Sequence, residues 1–172
     1  MTINSRVREA VALTAVVFAA AGCTATVAGT ASRASETSSQ QRPDVFAGLD
    51  ACRVLDQLNA GQGYEPGENK SRRNQCNATK SGVSGNSLAL DPVQGLDEFA
   101  SRNKDVVSIS INGRAAMQAP IPTGGCAIAV EVTDHARALV LMTLSTGPDD
   151  PQACVDAKAL AERLEPLLPK AQ

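Results

Sequence analysis

The hydrophobic pattern changes character twice along the chain. Residues 10–21, AVALTAVVFAAA, form an uncharged apolar run. Residues 24–43 are rich in Ser, Thr and Ala and have no hydrophobic period, which reads as a disordered tether. From about residue 44 the pattern becomes periodic. Asp50 is placed to cap a short helix running through Asn59, with Cys52, Leu55 and Leu58 on its inner face and Gly61 ending it. The polar stretch GQGYEPGENKSRRNQ reads as a loop, and the Gly/Ser-rich SGVSGNS reads as a second loop before a strand at NSLALDP. Leu96, Phe99 and Ala100 recur at helical spacing and predict a second helix.

The next stretch alternates. Val107, Ile109 and Ile111 are interleaved with Ser108 and Ser110, and Asn112-Gly113 follows, a strong hairpin signal because both residues tolerate positive φ. Cys126, Ile128, Val130 and Val132 share one face of a further strand. The run RALVLMTLS is apolar on both faces, so it predicts a central strand covered on both sides. In the last segment Asp149 or Asp150 can cap, Pro151 suits a first turn, and Cys154, Ala157, Ala161 and Leu164 form one helical stripe that Pro166 should end or kink. These elements predict an α+β domain: an antiparallel, mostly meandering sheet with N-terminal and C-terminal helices packed on it.

Composition narrows the function. The chain has 172 residues and a formal charge of −2, without the basic footprint of a nucleic-acid binder. Aromatic residues make up 2%, too few for base-stacking platforms or an aromatic cage.

The N-terminus carries export chemistry. Arg6 and Arg8 precede the apolar run, whose 12 residues suit a signal-peptide core and fall short of the roughly 20 needed to span a membrane. Ala20, Ala21, Gly22 and Cys23 then resemble the lipobox of bacterial lipoproteins, which implies acylation of Cys23 and cleavage before it. Two readings compete with it: ordinary secretion, where Ala19 and Ala21 form an A-x-A-like site and cleavage there would leave a free thiol, and an uncleaved membrane anchor, which the short apolar run disfavours. The lipobox reading divides the chain into a signal peptide at residues 1–22, a tether at 23–43 and a single domain at 44–172, held at the extracytoplasmic face of the cell membrane through Cys23. Removing residues 1–22 takes away two arginines and one glutamate and leaves a mature charge of −3.

Setting Cys23 apart leaves four of the five cysteines, an even number suited to an oxidising compartment. Four cysteines allow three connectivities. A hairpin turning at about residues 134–136 would bring Cys126 near Ser145, and a short loop could return Cys154 over that strand end. Cys126–Cys154 is therefore the expected pair, and Cys52–Cys76 follows by elimination.

A helix-borne Cys52, Cys76 after a polar loop, the VSISINGRAAM hairpin, GGCAIAVEV and the closing ACVDAKALAERLEPLLP together resemble the actinobacterial small-lipoprotein family catalogued as domain of unknown function 3558. The resemblance covers about residues 49–169. It implies a secreted, lipid-anchored domain with paired cysteines and no known reaction.

Candidate chemistry is sparse. No CxxC motif occurs and His135 is the only histidine, so no metal set and no cofactor are expected. SGVSGNS would place Ser84 in a nucleophile elbow only if residue 86 were glycine, and it is Asn86. The carboxylates of GPDDP lack the spaced oxygens of a calcium loop and read as a capping turn. Lys70, Arg72 and Arg73 are the candidate contact for an anionic partner, with a solvated polar loop as the competing reading. The expected function is a non-catalytic binding module for an envelope protein or ligand. A carrier of a small apolar ligand, lodged beside residues 139–144 where Ala115, Ala116, Ala127 and Ala129 leave room, is the alternative, and an envelope enzyme comes third.

Overall fold

Local signals set the ends of the elements. The computed structural model describes residues 43–122, 124–147 and 150–170. Cys23, the signal segment and the tether up to residue 42 lie outside the described residues. Helix α1 spans Ala51–Asn59, and the Asp50 side chain accepts a 2.9 Å bond from the Arg53 N–H at its start. Strands β1 (Gln75–Lys80) and β2 (Ser84–Asp91) form a hairpin, and α2 (Leu96–Arg102) follows. Strands β3 (Val107–Ile111) and β4 (Arg114–Pro120) join through Asn112 and Gly113 at φ 51° and 91°, the two positive values that a tight hairpin needs. Strands β5 (Cys126–Thr133) and β6 (Ala136–Leu144) precede α3 (Gln152–Leu164), and a short 3₁₀ turn, Glu165–Leu167, takes over where Pro166 ends the α-helix.

The six strands form one antiparallel sheet in the order β1-β2-β6-β5-β4-β3. The fold is therefore α+β, with helices on an antiparallel sheet, and β6 is central, between β2 and β5. One face carries α1 and α3. Cys126, Ile128, Val130 and Val132 of β5 point to that face with Ala138 and Val140 of β6, and they pack with Leu55 of α1 and Leu160 and Leu164 of α3. Burying such side chains is the main favourable term of the fold, about 1.5–3 kcal/mol for each large apolar one. Among the described residues the other face carries only α2, whose Phe99 packs on Ala119, Ala127 and Ala129. The small residues on this face admit Phe99, while Ala115 is exposed and Ala116 belongs to the opposite core.

Two disulfides staple the helices of the first face. Cys52 of α1 bonds Cys76 of β1, and Cys126 of β5 bonds Cys154 in the first turn of α3. The register differs from the expected one. Cys126 faces Met142, three residues short of Ser145, because the hairpin turns at Asp134-His135 and its register shifts between Glu131 and Thr133. Gly125 presses against the Met142 carbonyl, where any Cβ would clash, and this fixes Cys126 in place.

Three local expectations need correction. The chain from Gln75 to Lys80 is a strand although its inward residues, Cys76 and Ala78, are small. The second strand starts at Ser84, so Ser84, Gly85 and Asn86 are ladder residues and the turn is confined to residues 81–83. Val107 alternates with the inward side chains of β3 yet is exposed, because β3 is the outer edge of the sheet and α3 reaches only as far as Ile109 and Ile111.

Candidate functional site

Among the described residues α2 covers only part of its face, and the sheet is left open over β2 and β6. An open cleft of about 660 Å³ lies there. One wall is the loop after residue 68, a second is the turn between β2 and α2, and the floor comes from Ala89 of β2 and Arg137 and Leu139 of β6.

The first wall is built by side chains bonding to backbone. Asn69 accepts from the Ser71 N–H at 2.8 Å and donates to the Arg73 carbonyl at 2.8 Å, and Ser71 Oγ accepts from the Arg73 N–H at 3.0 Å. Asn74 pins this loop to the start of α1, accepting from the Ala51 N–H at 2.9 Å and donating to the Leu49 carbonyl at 2.8 Å. The loop's shape is thus held without the Arg72 and Arg73 side chains, which line the cleft. Lys70 does not line it. Lys70 pairs with Glu68 at 3.0 Å, with both side chains exposed.

The second wall is braced by Arg137. This residue is only 6% exposed. Its Nη1 donates to the Gly95 carbonyl at 2.8 Å, its Nη2 donates to Gln94 Oε1 at 2.9 Å, and its guanidinium carbon lies 5.7 Å from the centre of the Phe99 ring. Its Nε is buried and has no partner among the described residues. Burial pushes the guanidinium pKa below its ordinary value; Asp91 and Glu98 raise it and nearby Arg102 lowers it further. The cleft thus gathers Arg72, Arg73, Arg102 and Arg137 against Asp44 and Asp91. None of the four arginines forms an ion pair among the described residues.

The second wall starts α2 closely against the β5–β6 turn. A Cβ on Gly95 would clash with the Asp134 carbonyl, so glycine is needed for the approach. The Gly95 N–H donates to Glu98 Oε2 at 2.7 Å. The Glu98 carboxyl is held below its ordinary value of 4.5, first by its own backbone N–H and then by that of Gly95.

A family model described as a protein of unknown function, DUF3558, matches residues 18–167. The chain belongs to the DUF3558 family. No curated protein and no solved structure matches the chain. In this DUF3558 member the other sequence candidates stand apart from the cleft. Ser84 is buried and lies 2.8 Å from the Tyr64 hydroxyl. It pairs with Leu144 at one end of β6, while His135 precedes Ala136 at the other, so about 25 Å of strand separates them. All four domain cysteines are in disulfides. Asp150 sits one residue before the N-cap, Pro151, of α3; it accepts from the Gln152 N–H at 2.9 Å and from Thr146 Oγ1 at 2.6 Å. Asp149 lies outside the described residues.

Reading the sequence found Arg72 and Arg73 but missed Arg102 and Arg137. One signal for Arg137 was present: a cation inside a run otherwise apolar on both faces must either reach solvent or find buried partners.

Proposed function

We propose that this chain is a non-catalytic binding module, held at the extracytoplasmic face of the cell membrane by acylation of Cys23 and presenting the arginine cleft to an envelope component. One observation carries the reading. Arginines from three separate segments converge on a cleft whose described lining includes no serine, cysteine or histidine to serve as nucleophile or imidazole base. The side chains there are suited to holding a partner.

The test is a photo-crosslinker placed at Val93, which is 73% exposed on the cleft rim, in intact cells. A discrete adduct that is lost when the same group is moved to Val155, exposed on α3 away from the cleft, is the expected result. Repeated failure under several growth conditions would overturn the reading. Intact mass of the processed protein checks the anchor separately: the expected species begins at Cys23 and carries acyl chains, and an unacylated mass would remove that part.

A further inference from the structure

We propose that the cleft is an oxyanion site, taking a phosphate or carboxylate group carried on a partly apolar body, with Arg72, Arg73, Arg102 and Arg137 as the groups that hold it. This rests on the binding-module reading and names the chemistry of its ligand.

Arg137 provides the first reason. Removing a cation from water is costly unless an opposite charge accompanies it. Arg137 is 6% exposed, yet both of its bonded acceptors, the Gly95 carbonyl and the Gln94 amide oxygen, are neutral, and its Nε has no acceptor among the described residues. A guanidinium has five N–H donors, and these bonds use two of them. The buried charge is hydrogen-bonded only to neutral acceptors, and Asp91 and Glu98 favour it without forming an ion pair among the described residues.

The second reason is the local sign. From residue 44 onward the sequence holds twelve Lys and Arg against sixteen Asp and Glu, a net charge of −4. On this acidic domain the cleft carries four arginines to two aspartates. A concave surface of one sign above a low-dielectric floor concentrates counter-ions of the other. Guanidinium forks match the paired oxygens of carboxylates and phosphates.

The third reason is shape. About 660 Å³ suits a small molecule or one headgroup. Leu139 and Ala89 on the floor and Val93 at the rim offer apolar surface for the body that bears the anion. The competing role for Arg137 is a brace that only ties α2 to the sheet. A brace accounts for the bonds to residues 94 and 95 and leaves Arg72 and Arg73 without a purpose.

The experiment titrates the purified full-length chain with octyl phosphate, octanoate, inorganic phosphate and octanol, followed by calorimetry and amide NMR. At least one of the octyl anions is expected to bind saturably, at least tenfold more tightly than octanol. Shifts should centre on residues 89–94 and 137–139, and added salt should weaken the binding. The double variant Arg72→Gln/Arg73→Gln alters an exposed loop whose shape does not depend on those side chains, and it should weaken binding about tenfold or more. Arg137→Lys, which keeps the charge and loses the fork, should do the same. Vesicles containing phosphatidylglycerol, compared with phosphatidylcholine alone, separate the sources. Selective co-flotation that is lost in the double variant makes a lipid headgroup the ligand, and binding of soluble anions without co-flotation makes it a free one. No saturable binding of any anion, or binding unchanged in both variants, overturns the proposal. A Val93 adduct captured equally by wild type and double variant also overturns the anion site and leaves the binding module standing. Anion binding with no cellular adduct does the reverse.

Discussion

The two faces of the sheet are closed by different means. The face under α1 and α3 is filled by a continuous apolar cluster, and a disulfide ties each of those helices to a strand. The face under α2 has a small cluster around Phe99, a seven-residue helix and a buried arginine in place of a staple. The first arrangement is a packed apolar core. The second leaves part of the face uncovered among the described residues and lines it with charge, which is why the cleft lies there. Regions that open and bind come from the less stable parts of a fold, and here the division follows the two sides of one sheet.

That contrast can be broken from either side. The largest effect is expected on the stapled face. Replacing Cys126 and Cys154 by alanine should lower unfolding free energy by about 3–4 kcal/mol in the chain-entropy picture, for a sequence separation of 28 residues. The loss should be global, seen as one earlier transition in chemical denaturation by both far-UV and near-UV signals. Gly95→Ala on the other face should cost about 1–3 kcal/mol through overpacking against the Asp134 carbonyl. Hydrogen exchange should show that loss confined to α2 and the β5–β6 turn, and a uniform rise in exchange would mean that the two faces unfold as one unit. Asp50→Ala removes the α1 cap and should cost about 1 kcal/mol, measured as a shift in denaturation midpoint at unchanged slope. The smallest effect is a dependence on pH. The folded Glu98 carboxyl titrates below its ordinary 4.5, so its contribution is present above that pH and is lost as pH falls through the folded value. Protection at the start of α2, corrected for the intrinsic pH dependence of amide exchange, should fall with acid in the wild type and change less with acid in Glu98→Gln.

The sequence disclosed the stapled face well and the open one poorly, for reasons that particular residues make plain. Alternation at Cys126, Ile128, Val130 and Val132 marked the face under α1 and α3, and Asn112-Gly113 marked its hairpin, because large apolar groups and positive φ leave strong local signals. β1 left none, since its inward residues Cys76 and Ala78 are small and its outward ones polar. The cleft is harder still. Arg72 lies in a loop, Arg102 at the end of α2 and Arg137 in β6, and they meet through the pairing of β2 with β6, the packing of α2 on the sheet and the loop's tie to α1. A non-local pairing has no signature in any short window of sequence. Lys70 shows the converse: three neighbouring cations in the sequence looked like one patch, and the loop turns Lys70 toward Glu68 and the two arginines toward the cleft.

The pairing of β2 with β6 also has a consequence for how the molecule comes into being. Asp91 meets Arg137 and Ser84 meets Leu144, so the partners stand 46 to 60 positions apart in the chain. During synthesis from the N-terminus, the β1–β2 hairpin is complete while the edge of β2 that will face β6 still lacks a neighbour. That edge stays open until residues 137–144 have emerged, with the backbone groups of Ser87 and Ala89 unpaired on that side. The middle of the sheet is therefore the last part that can be assembled, and the cleft floor, made of the same two strands, exists only once nearly the whole polypeptide has been delivered.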